Sequence, residues 1–348
     1  MALGWTVARA AAAQGLSERA AYRWLARYRD EGPAGLLAPS CQAPESGTIV
    51  PDDGRGRAMA YFLFVAPSGP DTPQVPYEVV AGIAVEDRDV GNLAQTLGEA
   101  ELHHFGRRLA GEGSHTAARR LLKHKVFRLA SQLPPFVSEE RRALARRCLD
   151  AGATAGRREM TALAQAKLAF VSDALDLAAR FRCRFIASIV GKQAPRPAPG
   201  ALRKDYAYLF ERFFYLVDDL KPSPLGIVVS GERLGRQRAR LVEQMNRYFR
   251  GTGRGRQRAT LVLPEPLVAG GDLATVVDLA GVVAYLTSWA FRTRELTEPV
   301  RRELTSFKEQ IRGLRYRVVR EMGDNPNFVV WGFAVVPDVR MREDRETS

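Results

Sequence analysis

The fold is decided by two short apolar stretches, AYFLFV (60–65) and EVVAGIAV (78–85), which a segment rich in proline separates. Short apolar runs bounded by turn residues are typical of buried strands, and two of them in succession predict a hairpin or neighbouring strands. Three later runs have the same character: CRFIASIV (183–190), LGIVVS (225–230) and ATLVLPEP (259–266). Because helical segments follow these runs, the sequence predicts an α/β domain with a mixed sheet flanked by helices.

Helical periodicity fills most of the remaining sequence. Residues 88–180 are interpreted as mostly helical, with a break at Pro134 and Pro135. The other predicted elements are helices over 204–220, 238–249 and 273–291, a charged helix over 299–322 and a closing strand over 327–336. Six aromatic residues of the 204–220 segment are interpreted as packing residues rather than as a base-stacking platform. They are Tyr206, Tyr208, Phe210, Phe213, Phe214 and Tyr215.

The overall charge is strongly positive. The 348 residues include 52 Lys and Arg against 39 Asp and Glu, which gives a net charge of +13 and a pI near 10.0. Such a balance predicts affinity for polyanions that salt weakens. An arginine-rich, solvated surface explains the same numbers, so charge alone leaves both interpretations open.

Cysteine, histidine and hydropathy patterns exclude several classes of protein. The cysteines, Cys41, Cys148 and Cys183, are too scattered for a disulfide framework or a zinc knuckle, so we expect thiols in a cytoplasmic protein. The histidines also lack metal-ligand spacing. They are His103, His104, His115 and His124. No apolar run approaches the roughly 18 residues of a membrane span. The opening segment, which Arg9 and Gln14 interrupt, is interpreted as mature sequence.

A helix-turn-helix is predicted over 1–38, in WTVARAAAAQGLSERAAYRWLARYR (5–29). Gly15 suits the left-handed end of a first helix, and Ser17 can cap the second. The second helix places Arg19, Arg23 and Arg27 in one stripe, opposite an apolar face. This stripe predicts contacts with phosphates and bases. Residues 39–58, dense in proline, glycine and serine, are interpreted as a linker.

The same segment resembles the N-terminal helix-turn-helix of insertion-sequence transposases and integrases. The residues that carry the resemblance are Gly15, Ser17–Arg19, Trp24–Arg29, Glu31, Gly32 and Ala34–Leu36. The resemblance implies DNA as a partner; a packing role or a fusion remnant is the alternative. One small helix pair buries little surface on DNA, so we expect sequence-specific binding to need a homodimer.

The first, third and fourth predicted strands end without acidic residues. A nuclease of the RNase H type holds two metal ions with carboxylates at strand and helix ends. Here Ala66, Pro67 and Ser68 follow the first strand, Gly191 the third and Gly231 the fourth. None of these side chains is a carboxylate.

Residues 59–338 resemble a bacterial family, the domain of unknown function 3800, which implies an RNase H-like fold; 339–348 are interpreted as a tail. The carriers are the strand ending in Ser68 and Gly69, PYEVVAGIAV (76–85), RKDYAYLFERFF (203–214) and PEPLVAGGDLATVVDLAGVVAYL (264–286). The chain departs from the family at five positions. Ala66 and Pro67 stand at the family's Asp and Glu, Gly271 at its Ser, Asp278 at its Gln and Gly281 at its late Asp. No catalytic role is therefore carried over.

Three functions remain in competition. The first is a nucleic-acid-binding pseudo-nuclease without cofactor, associated with mobile elements or regulation, with DNA as partner and RNA left open. The second is a nuclease or phosphodiesterase that uses Mg²⁺ or Mn²⁺ and relocated acids, and the third is a decaying mobile-element fusion. The candidate acids are Asp71, Glu86, Asp87, Glu232, Asp272 and Asp278. Phosphate contacts are predicted for Lys192, Arg233, Arg236, Arg238 and a loop GTGRGRQR (251–258).

Overall fold

A computed structural model describes residues 60–68, 77–109, 118–198, 200–231, 235–291, 301–322 and 325–341. The chain divides into two compact units, Met1–Ala58 and Met59–Ser348, and the described residues all belong to the second. The predicted helix-turn-helix and linker therefore lie outside the described residues.

The second unit alternates strands and helices in the order that the sequence predicts for an α/β domain. Its strands are β1 (Ala60–Ser68), β2 (Tyr77–Glu86), β3 (Arg184–Gly191), β4 (Leu225–Gly231), β5 (Leu267–Ala269), β6 (Arg317–Met322), β7 (Asn325–Trp331) and β8 (Phe333–Val335). The helices between β2 and β3 are α1 (Asp87–Phe105), α2 (Ala118–Leu122), α3 (His124–Ala130), α4 (Ser138–Ala151) and α5 (Arg157–Arg180). The later helices are α6 (Lys204–Asp219), α7 (Gly235–Gly251), α8 (Gly253–Arg258), α9 (Leu273–Ala290) and α10 (Thr305–Leu314).

The main sheet has six strands in the order β5-β4-β1-β2-β3-β8. Strands β1, β2 and β3 form an antiparallel meander, whereas β4 pairs with β1 in parallel and β5 with β4 in parallel. Strand β8 adds to β3 in parallel, and β6 and β7 form a separate antiparallel hairpin. The prediction of a mixed sheet flanked by helices is confirmed.

Each face of the sheet has its own core, because side chains alternate along β1. Phe64 and Ala66 point to a core shared with α1, α5 and α9. Leu63 and Val65 point to a core on the opposite face, which α6 and α7 cover. Helix α9 is apolar along almost its whole length, which suits a helix that is covered on several sides.

Two predicted elements near the end of the chain differ from the structure, the first in type over part of its length and the second in continuity. The predicted charged helix over 299–322 is helical in α10, but Arg317–Met322 form strand β6. The predicted closing strand over 327–336 is interrupted at Gly332, where the chain leaves the hairpin and joins the main sheet. A Cβ at Gly332 would lie 2.7 Å from the carbonyl oxygen of Phe185, so the crossing needs a glycine.

The region around 251–269 also differs from its prediction. Residues 253–258, predicted as part of a loop, form the short helix α8, which Thr252 caps by accepting a hydrogen bond of 2.9 Å from the Gly255 amide. The predicted strand over 259–266 is a turn with one bridge at Val262, and the strand β5 begins only at Leu267. Pro264 and Pro266 lack the amide hydrogens that a strand ladder requires.

No helix in the described part of the chain is both long and apolar enough to cross a membrane. Residues 339–341, where the predicted tail begins, pack against the domain: Val339 is buried, and its carbonyl accepts a hydrogen bond from the Lys204 amide.

Candidate functional site

The carboxyl end of β1 meets the middle of α9, and two positions of the predicted nuclease site come together there. A Cβ built on Gly281 of α9 would lie 3.8 Å from the Cβ of Ala66. Two aspartates at these positions would project into the same space. The residues present have no side-chain oxygen, so they cannot bind a cation through their side chains.

Small and apolar residues surround this contact. Ala66 lies opposite Ala81 of β2, and Ala81 lies opposite Ala187 of β3. All three are buried in the same core as α9. At the end of β4, a Cβ on Gly231 would lie 3.2 Å from Cγ1 of Val277. We call this set the apolar layer: Ala66, Ala81, Ala187, Val277 and Gly281.

Two other glycines singled out in the sequence lie away from the apolar layer. Gly191 pairs with Tyr77, whereas the β3 residue level with Ala66 is Ala187, so Gly191 lies four residues farther along β3. Gly271 is exposed and has a φ of +58°, a left-handed conformation in which the family's serine would be strained.

Three of the described candidate acids have partners away from the apolar layer. Glu86 and Asp87 lie at the amino end of β1, the opposite end from Ala66: the Tyr61 hydroxyl donates to Glu86, and the Ala60 amide donates to Asp87 over 3.1 Å. Asp272 accepts a hydrogen bond of 2.8 Å from Nη2 of Arg108. Asp71 and Glu232 lie outside the described residues.

Asp278 is the candidate acid closest to the apolar layer along α9. It lines a small cavity of about 20 Å³ between α1, α5 and α9, together with Glu101 and mostly apolar side chains. A cavity of this size holds about one water molecule. Glu101 is tied to Arg108 and to the Leu109 amide, at 3.2 and 3.0 Å.

Among the described residues, no three His, Cys, Asp or Glu side chains converge as a metal site would require. The described histidines instead connect helices. Nε2 of the buried His104 lies 2.7 Å from Asp173, and Nδ1 of His124 lies 2.6 Å from Glu303. Burial lowers the pKa of His104 despite this carboxylate. Cys148 and Cys183 are buried free thiols. The described residues therefore do not fit the two-metal site of an RNase H-type nuclease.

The predicted phosphate-binding residues are only partly visible. Lys192 is exposed in the turn after β3. Arg236 and Arg238 belong to α7, but their side chains lie outside the described residues, as do Arg233, Arg19, Arg23 and Arg27. The arginines of the 251–258 segment are placed by α8, which lies beside α6 and lines a cleft with it.

Comparison with known families finds a match at the start of the chain. Residues 1–37 match the family model of a homeodomain-like domain. This agrees with the predicted helix-turn-helix, and domains of this class bind DNA. Neither the domain of unknown function 3800 nor an RNase H-like family is matched. No curated protein and no solved structure matches the chain.

Proposed function

We propose that this chain is a DNA-binding protein whose α/β domain is an RNase H-like scaffold without a metal site. The observation that carries the DNA-binding part is the match of residues 1–37 to a homeodomain-like domain. The observation that carries the second part is the contact between Ala66 and Gly281. A role in mobile elements or in regulation belongs to the same proposal.

The strand order supports the RNase H-like scaffold. In that arrangement three antiparallel strands form a meander, and two parallel strands extend the sheet from the first strand. The order β5-β4-β1-β2-β3 has this pattern, with β8 added at the far edge. The helices between β2 and β3 would then be an insertion into the meander.

The chemistry of the apolar layer supports a domain that binds without cleaving. Divalent ions in phosphodiester hydrolysis need oxygen ligands that hold them beside the scissile phosphate. Alanine and glycine occupy the two positions that meet, and Glu86, Asp87 and Asp272 are engaged elsewhere. The proposal of a nuclease with relocated acids would have to rest on Asp278 and on residues outside the described ranges.

DNA binding by the predicted helix-turn-helix of residues 1–38, which we call the head, can be tested with Arg23→Ala in the full chain. We expect weaker binding to duplex DNA and a salt slope that falls by about one, because one phosphate contact is lost. Fluorescence anisotropy at several salt concentrations measures both. The matched control is Arg147→Ala, which removes an exposed arginine of α4. Equal effects of the two variants would reduce the head to a packing role.

The absence of cleavage can be tested separately. Full-length protein is incubated with labelled single-stranded and duplex DNA and RNA, with Mg²⁺ or Mn²⁺ at about 5 mM, a concentration that would fill a weak site. We expect intact substrates. Cleavage that disappears in Asp278→Ala would overturn the proposal in favour of relocated acids.

A further inference from the structure

A cleft of about 810 Å³ lies on the α6 side of the main sheet, the face opposite the apolar layer. Helices α6 and α8 and the residues before α8 form one wall, and Phe328 and Val330 of β7 form the other. We call it the basic cleft. Its volume falls within the range of about 300–1,000 Å³ that is common for ligand sites.

The lining of the basic cleft carries excess positive charge. Among the described residues of the lining, there are four cationic side chains, Lys204, Arg212, Arg254 and Arg258, and one carboxylate, Glu211. Glu211 is bonded to Arg258 and lies 3.7 Å from Arg212, so it is shared between two guanidinium groups. Positive charge in a concave, partly dehydrated space attracts anions more strongly than the same charge on an open surface.

Two of these arginines are fixed in the floor of the cleft. The Nε of Arg212 donates to the carbonyl oxygen of Trp331 over 2.7 Å, and its Nη1 donates to that of Tyr208 over 3.2 Å. Arg258 is also buried and donates to the carbonyl oxygen of Ala207 and to the Tyr248 hydroxyl. Burial lowers the pKa of Arg212, because the charged guanidinium loses hydration on folding. An anion bound in the cleft would offset this unfavourable desolvation.

Aromatic side chains stand beside these charges. Tyr208 and Tyr215 lie on the α6 wall, and Phe328 on the β7 wall is 42% exposed. Basic groups interleaved with exposed aromatic rings are the pattern that binds single strands, since rings stack on bases and cations meet phosphates.

We propose that the basic cleft binds a single strand of nucleic acid, DNA or RNA. A duplex keeps the faces of its bases stacked inside the helix, where Phe328 and the tyrosines could not reach them. A single strand presents both its bases and its phosphates. The inference does not rest on the DNA-binding head, because every residue of the cleft lies in the second unit.

The test uses the full chain with Arg19, Arg23 and Arg27 all changed to Ala, so that the head does not contribute. Binding of fluorescein-labelled oligo(dT) and oligo(U) of about twelve nucleotides is measured by anisotropy. Arg254→Glu and Phe328→Ala are each expected to weaken binding about tenfold, through a lost phosphate contact and a lost stacking partner. Equal losses for both oligomers indicate that the cleft takes either nucleic acid, and unequal losses show which it prefers.

Matched controls separate the cleft from general charge. Arg147→Glu makes the same charge change on α4, and Leu102→Ala removes an exposed apolar side chain of α1; each should change affinity less than about twofold. Arg254 and Phe328 are exposed, so both cleft variants should keep the melting temperature of the parent. Equal losses in Arg254→Glu and Arg147→Glu would overturn the proposal. Competition by polyglutamate at the same charge concentration would also overturn it, because the cleft would then be a general polyanion site.

Discussion

The two faces of the main sheet differ in the charge of the side chains that they carry. On the α9 face, alanine, valine and glycine pack at the end of β1, where the proposed RNase H-like scaffold would have carboxylates in a metal-dependent nuclease. On the α6 face, buried arginines line an open cleft beside aromatic rings. Under the two proposals above, the first face holds no divalent ion and the second holds an anionic chain.

The largest expected effect comes from restoring a carboxylate to the apolar layer. Ala66→Asp places an acidic side chain in a buried position next to α9, and we expect the free energy of unfolding to fall by about 3 kcal/mol. Urea denaturation at neutral pH measures the loss. The control Ala143→Asp changes an exposed residue of α4 and should cost less than about 1 kcal/mol. Equal costs would mean that the end of β1 is open to water.

A second prediction concerns Lys167, a charged residue of α5. Helix α5 packs on the same face of the sheet as α9. Burial, with Lys123 adding to it, lowers its pKa to about 8 from an ordinary value of 10.5. Folding therefore penalises the protonated amine below pH 8, and the penalty fades as the pH rises toward 10.5. We expect Lys167→Met to stabilise the protein at pH 7 by on the order of 1–2 kcal/mol, allowing for partial exposure.

The pH dependence provides the check on that prediction. Urea denaturation of both proteins between pH 7 and pH 9.5, values that bracket the shifted pKa, should show the difference in stability shrinking as the pH rises. A constant difference would show that methionine stabilises by packing alone.

The smallest expected effect tests how closely α9 packs on β1 in the apolar layer. Gly281→Ala adds a methyl group at ordinary contact distance from Ala66 and removes the backbone cost of a helical glycine. We expect a gain of about 0.5–1 kcal/mol. Gly313→Ala in α10 is the control, because nothing lies within 4 Å of its new methyl group. A gain for Gly313→Ala with a loss for Gly281→Ala would mean that α9 packs more tightly on β1 than the structure shows.

The sequence predicted the parts of the fold that local patterns determine. Strands β1 to β4 have apolar runs bounded by turn residues, and the long helical region before β3 breaks where Pro134 and Pro135 lie. The predictions were wrong where tertiary contacts override pattern. Gly332 ends one strand and begins another because the chain passes close to the Phe185 carbonyl, and no periodicity reports such a contact.

The basic cleft could not be predicted for a similar reason. Its walls come from residues 204–215, 252–258 and 328–341, which are distant in sequence. The aromatic residues of α6 were interpreted as packing residues, and Phe210, Phe213 and Phe214 are indeed buried. Tyr208 and Tyr215, seven residues apart on the same helix, pack partly against buried residues and also line the cleft. The exposed Phe328 on the opposite wall becomes informative only when the hairpin is folded.

The central claim is that the end of β1 cannot anchor a divalent ion, and calorimetry tests it most directly. The full-length chain is titrated with MnCl₂ to about 5 mM, well above the range of a functional site. The account predicts heats of dilution alone. Saturable binding of one or two ions per chain that Asp278→Asn abolishes would contradict it.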